Sequence, residues 1–143
     1  MQKIDFHYNV PDRIHYACAV AATVFRRGLS LAVWSSDAGR LRSFNAQLWE
    51  RDSLSFIPHV SAEHPHAAET PVRYSTSLQA LSGDVLLLLD DALPPDWETE
   101  FKRFDRIIDV VSTQEAEVQA SRARYRAYKQ AGVELAAYDR RQK

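Results

Sequence analysis

The sequence predicts an α/β fold built on a mostly parallel sheet with helices on both faces. Two observations carry this expectation: short apolar strands alternate with amphipathic helices, and the strongest strand, residues 85–89, is apolar throughout. Strands covered on both faces read as unbroken apolar runs, and a β-α-β-α alternation supplies the covering helices. Residues 4–10 form the first strand, Pro11-Asp12 ends it, and Asp12 is placed to cap a helix. That helix carries Ile14, Ala17, Cys18, Ala21, Val24 and Phe25 on one face, and Arg26-Arg27-Gly28 gives it a cationic last turn followed by glycine. Residues 29–34 read as a second buried strand. Ser36 or Asp37 then caps a second helix, with Leu41, Phe44 and Leu48 turned inward. Residues 72–75 form a weak strand and residues 106–111 a stronger one, ahead of a long helix across 112–132. Residues 50–71 show no clear periodicity, which is long for a connection in a compact domain. Trp49, Leu54, Phe56 and Ile57 predict that its first half docks on the domain and presents an apolar surface, whereas Glu63, His64, Pro65, His66 and Glu69 read as an exposed loop. Residues 136–143 are read as a flexible tail.

With 143 residues, 45% hydrophobic and 26% charged, the chain is expected to be one domain burying roughly two thirds of its unfolded surface. No apolar run nears the ~20 residues that a membrane span requires. Met1-Gln2-Lys3-Ile4-Asp5 lacks the basic segment and apolar core of a secretory signal, and the single cysteine, Cys18, fits a reducing cytoplasm. The net charge of −1 hides an asymmetry: residues 84–117 hold ten acids against Lys102, Arg103 and Arg106, while residues 119–143 hold seven bases against Glu134 and Asp139. Such polarity suits nucleic acid or an acidic protein. The basic part is short and poor in stacking platforms, which favours the protein.

Asp84-Val85-Leu86-Leu87-Leu88-Leu89-Asp90-Asp91 offers an enzyme signal, because nucleotide hydrolases hold magnesium on acids at the carboxyl edge of a sheet. The matching phosphate loop needs clustered glycines, and here the glycines stand apart at 28, 39, 83 and 132. Asp90 and Asp91 are therefore read as the polar end of a core strand. His59, His64 and His66 lack metal-site spacing, Cys18 reads as a small buried hydrophobe, and no serine sits in a Gly-x-Ser-x-Gly elbow. No catalytic residue, cofactor or metal is expected; the alternatives are a nucleotide-dependent α/β enzyme and a small nucleic-acid-binding module.

The long helix sorts into two faces. Ala116, Ala120, Ala123, Ala127 and Ala131 form a stripe expected to pack closely against the domain, and Val118, Arg122, Tyr125 and Lys129 lie opposite. Two cations beside a tyrosine suit an acidic, aromatic-bearing peptide. The segment Arg122-Ala123-Arg124-Tyr125-Arg126-Ala127-Tyr128-Lys129-Gln130-Ala131-Gly132 resembles the C-terminal helix of the chi subunit of bacterial DNA polymerase III. Leu48-Trp49 followed by Ser55-Phe56-Ile57-Pro58-His59 is similar to that family's Leu-Trp and Ser-Phe-hydrophobic-Pro-His signature.

The resemblance implies a Rossmann-like, three-layer domain and a noncatalytic adaptor at the cytoplasmic replisome. It would join the clamp loader, through the psi subunit, to the acidic, phenylalanine-ended tail of single-stranded DNA-binding protein, and would meet DNA only indirectly. It further implies that Val111, Arg122 and Tyr125 receive the tail, with Val118 and Lys129 completing the face. Val118 stands where relatives carry a lysine, so weaker attraction is expected there unless Arg126, Lys129, Arg140 or Arg141 compensates. The psi surface is assigned to Trp49, Phe56, Ile57 and Pro58.

Overall fold

The computed structural model describes residues 3–50 and 57–141. Strands β1 (Lys3–Val10), β2 (Leu31–Trp34), β3 (His59–Ser61), β4 (Val72–Ser75), β5 (Val85–Leu88), β6 (Arg106–Ser112) and β7 (Glu134–Asp139) form one seven-stranded sheet in the order β3-β4-β2-β5-β6-β1-β7. Every neighbouring pair is parallel. Helices α1 (Arg13–Arg26), α2 (Ala38–Glu50), α3 (Trp97–Glu100) and α4 (Glu115–Ala131) complete a three-layer α/β fold.

Alternate residues of β2, β5 and β6 enter two cores, which explains the unbroken apolar runs. Leu31, Val33, Val85, Leu87, Ile108 and Val110 meet Ala17, Cys18 and Ala21 of α1 and Leu41, Phe44 and Leu48 of α2. Ala32, Trp34, Leu86, Leu88, Ile107 and Val111 face the other way, toward Phe101, Phe104 and Tyr128. Local capping follows the sequence: Asp12 accepts from the His15 amide at 3.0 Å, and Asp37 accepts from the Gly39 amide at 2.8 Å.

Two strands depart from the sequence reading. Within the aperiodic stretch, His59–Ser61 adds a three-residue edge strand beside β4, too short to show alternation. At the other edge, residues 136–139 belong to β7 and so are strand rather than tail, in register with β1 from Lys3↔Glu134 to Tyr8↔Asp139. Gly132 makes this return possible: it ends α4 at φ 75, in the left-handed region where a side chain is strained. Its amide donates to the Lys129 carbonyl at 3.1 Å, and the chain turns directly into β7. Among the described residues, no helix is long and apolar enough to cross a membrane.

Candidate functional site

α4 meets the sheet through a narrow stripe of Ser121, Arg124 and Tyr128. At 100° per residue, the alanine stripe and the Val118-Arg122-Tyr125-Lys129 face lie roughly a quarter turn to either side of it. The alanines are therefore not the packed face, which corrects the sequence expectation: Ala116, Ala123 and Ala131 are exposed. The reason is a buried acid on β6. Asp109 has no exposed surface, and Arg124, only 3% exposed, grips it with Nε at 3.0 Å and Nη2 at 3.0 Å. Tyr128 donates its hydroxyl to the same carboxylate at 2.7 Å, and Arg124 Nη1 donates to the Asp91 carbonyl at 2.6 Å. Burial alone would lower the Arg124 pKa; the adjacent Asp109 outweighs it and holds the guanidinium charged. Burial, then Asp109, drives the Tyr128 phenol well above its ordinary value.

This seating leaves a groove of about 430 Å³ between α4 and the β1–β7 edge. Its floor is Phe6 and Tyr8 of β1 with Ala137 of β7; its wall is Ser121, Arg122, Tyr125 and Arg126. Tyr125 is half-buried and meets Phe6 edge-on, with ring centroids 5.3 Å apart. Arg122 is exposed, and Lys129 stands one turn along with Nζ 5.7 Å from the Tyr125 ring centroid. An apolar floor with cations on its wall can take a ring and a carboxylate together.

Arg122 and Tyr125 are thus brought together, with Lys129 on the flank of the tyrosine. Val118 is half-buried and packs into the same apolar cluster, one turn from the groove. Val111 is wholly buried in that cluster and does not line the groove. Phe6, Tyr8, Ala137 and Arg126 were not singled out from the sequence as groove residues. Phe6 and Tyr8 share one face of β1 by simple alternation, but Ala137 joins them only once β7 is recognised as a strand. Of the cations that could compensate for Val118, Arg126 lies in the groove wall. Arg141 pairs with Asp139 at 3.4 Å, and Arg140 turns to the opposite face, toward His7 at 3.3 Å.

The second expected surface is divided. Trp49 is 54% exposed at the end of α2, with its ring centroid 4.7 Å from that of His59. Pro58 is half-buried, whereas Ile57 is buried in the core with Phe44 and Leu48. Phe56 lies outside the described residues.

At the carboxyl edge of the sheet, the chain's own cations engage the acids. Arg40 reaches Asp91 at 2.9 Å and Asp90 at 3.5 Å; Arg13 reaches Asp91 at 3.1 Å and Glu117 at 3.4 Å. Ser36 donates to Asp90 at 2.8 Å. Burial alone would raise the Asp91 carboxyl, but Arg40 and Arg13 hold it below the usual range. Among the described residues, no group of three His, Cys, Asp or Glu side chains is arranged to hold a metal ion.

On the far face of β1, burial first and Arg140 second push the His7 imidazole down to about 4. Its Nδ1 accepts from the Tyr16 hydroxyl at 2.5 Å and from Arg140 Nε at 3.3 Å, while Asp5 and Asp109 act in the opposite direction. A histidine lowered from 6.5 to about 4 leaves the unfolded chain binding more protons between those values, so stability falls as pH drops through that window. His7→Gln is expected to flatten this part of the stability profile, as read by urea unfolding between pH 7 and pH 4.

A family model described as "DNA polymerase III chi subunit, HolC" matches residues 1–136. A DNA polymerase III subunit chi from Pseudomonas aeruginosa is 27% identical over 140 residues, covering 94% of this chain and 94% of its own length. The Escherichia coli protein of the same name is 28% identical, covering 82% of this chain and 79% of its own. That of Haemophilus influenzae is 27% identical, covering 83% and 81%.

Proposed function

Because the chain belongs to the DNA polymerase III chi-subunit family, we propose that it bridges the clamp loader, held through the psi subunit, to the C-terminal tail of single-stranded DNA-binding protein during replication. The observation that carries this reading is the groove in which Arg122 stands beside half-buried Tyr125 over a floor of Phe6 and Tyr8. In this account the Arg122 guanidinium takes the peptide's terminal carboxylate as a two-pronged pair, and the apolar floor takes its phenylalanine ring. Arg126, one turn along the same wall, adds attraction for acidic residues of the tail and offsets the missing cation at Val118. Val111 supports α4 from beneath rather than touching the peptide. Trp49 and half-buried Pro58 serve psi; an exposed tryptophan is a strong anchor for a partner. The protein acts as a cytoplasmic adaptor, touches DNA only through its partner, and performs no chemistry of its own.

An adaptor with two separate surfaces should lose them separately. When the chain is mixed with psi and single-stranded DNA-binding protein, size-exclusion chromatography is expected to give one ternary peak. Arg122→Ala should release the DNA-binding protein and keep psi, and Trp49→Ala should do the reverse. Loss of both partners from either variant in a folded protein would refute separate sites.

A further inference from the structure

Two directions lead away from Arg122 along α4, and they differ in charge. Toward the C-terminal end of the helix, the positions four and seven residues on are Arg126 and Lys129, both exposed. Toward the N-terminal end, the matching positions are Val118, half-buried and apolar, and Glu115, exposed. Steps of four and seven keep side chains on one face of a helix, so these five residues share a line. The other charges nearby do not change the contrast. Glu117 is paired with Arg13 at 3.4 Å and Asp139 with Arg141 at 3.4 Å. Glu134 turns to the opposite face of the sheet, because Ala137 lines the groove and strand side chains alternate. The first turn of α4 carries Glu115 and Glu117, which offset the positive end of the helix. An acidic peptide anchored at Arg122 therefore meets attraction in one direction and an exposed acid in the other.

We propose that the bound tail lies along α4 with its terminal carboxylate at Arg122 and its upstream residues running toward the C-terminal end of the helix, so that Lys129 pairs with the acid three residues before the last. This direction and register rest on the tail site proposed above. The spans agree: three residues of extended chain cover ~10 Å, and the seven helical residues from Arg122 to Lys129 rise ~10.5 Å. A residue that precedes proline, as isoleucine does in Asp-Ile-Pro-Phe, is held extended. Side chains then alternate, which turns the phenylalanine and the isoleucine to the floor of Phe6, Tyr8 and Ala137 and the aspartate to the rim. Lys129 stands at that rim, exposed, with Nζ 5.7 Å from the Tyr125 ring centroid. Arg126, ~6 Å from Arg122 along the helix, is level with the isoleucine and acts through its field rather than through a pair.

The test is titration of the full-length protein, at low salt, with two labelled acidic peptides that differ only in ending Asp-Ile-Pro-Phe or Asn-Ile-Pro-Phe. The aspartate form should bind wild type about threefold more tightly, the scale of one exposed ion pair. Lys129→Gln should abolish that preference. Exchanging the two charges, Glu115→Lys with Lys129→Glu, keeps the net charge and moves the cation to the mirror position; the asparagine form should then bind at least as well as the aspartate form. Both positions are exposed and the new residues suit a helix, so the fold is retained. An aspartate preference that survives Lys129→Gln, or that persists in the exchanged variant, would overturn the proposal. Arg122→Ala separates the two levels of failure. If it leaves peptide binding unchanged, the tail site itself falls; if it weakens binding while the aspartate preference survives Lys129→Gln, only the direction and register fall.

Discussion

Asp109→Ala is expected to destabilise the protein by about 3–5 kcal/mol, because it leaves a buried guanidinium without its counter-ion. Arg124 is 3% exposed and spends both Nε and Nη2 on that carboxylate, so it cannot turn to water without unseating α4. Tyr128 loses its acceptor in the same step. In a chain of this size the midpoint of thermal unfolding should fall by roughly 10 °C. The paired variant Asp109→Leu with Arg124→Met should recover part of the loss, since replacing both charges with apolar groups leaves no buried charge unpaired, while the buried Tyr128 hydroxyl still lacks its acceptor. Urea unfolding of the two single variants and the double variant measures the coupling. A small effect of Asp109→Ala would mean that Arg124 is not committed to this pair.

Arg122→Ala is expected to weaken binding of the acidic, phenylalanine-ended tail by about tenfold to a hundredfold, as loss of a charged, two-pronged contact does. Arg122 is exposed and makes no contact needed for the fold, so its unfolding midpoint should stay near wild type. Arg126→Ala should cost less and should act mainly through salt dependence, because it attracts side-chain carboxylates at the open wall. Fluorescence anisotropy with a labelled peptide at two salt concentrations separates the two roles. Equal losses at both positions would argue against a single arginine holding the terminal carboxylate.

The pattern of α4 shows where sequence reading succeeds and where it stops. The helix, its end at Gly132 and the pairing of Arg122 with Tyr125 follow from spacing. The rotation of the helix about its axis does not, because a stripe of small residues looks more packable than one containing an arginine. Only Asp109, alternating into the α4 side of β6, makes burial of Arg124 favourable, and that partner lies 15 residues away. β7 was hidden for a related reason: Glu134-Leu135-Ala136-Ala137-Tyr138-Asp139 has charged ends and two alanines at its centre, so its alternation is faint. Without β7 the outer side of the groove does not exist. The strongly apolar strands and the faces of α1 and α2 were plain because burial on both sides, or on one helical face, leaves few alternatives. Ile57 was misplaced on a surface because it lies in a segment without periodicity, where nothing distinguishes a residue closing the core from one facing a partner.

The measurement that tests the central claim most directly is calorimetric titration of the protein with an acidic peptide ending in Asp-Ile-Pro-Phe, beside the same peptide lacking its phenylalanine. The account predicts binding in the micromolar range, on the order of −8 kcal/mol, that weakens with salt and is lost with the terminal residue. Equal affinity for the two peptides, or no heat of binding at low salt, would contradict it.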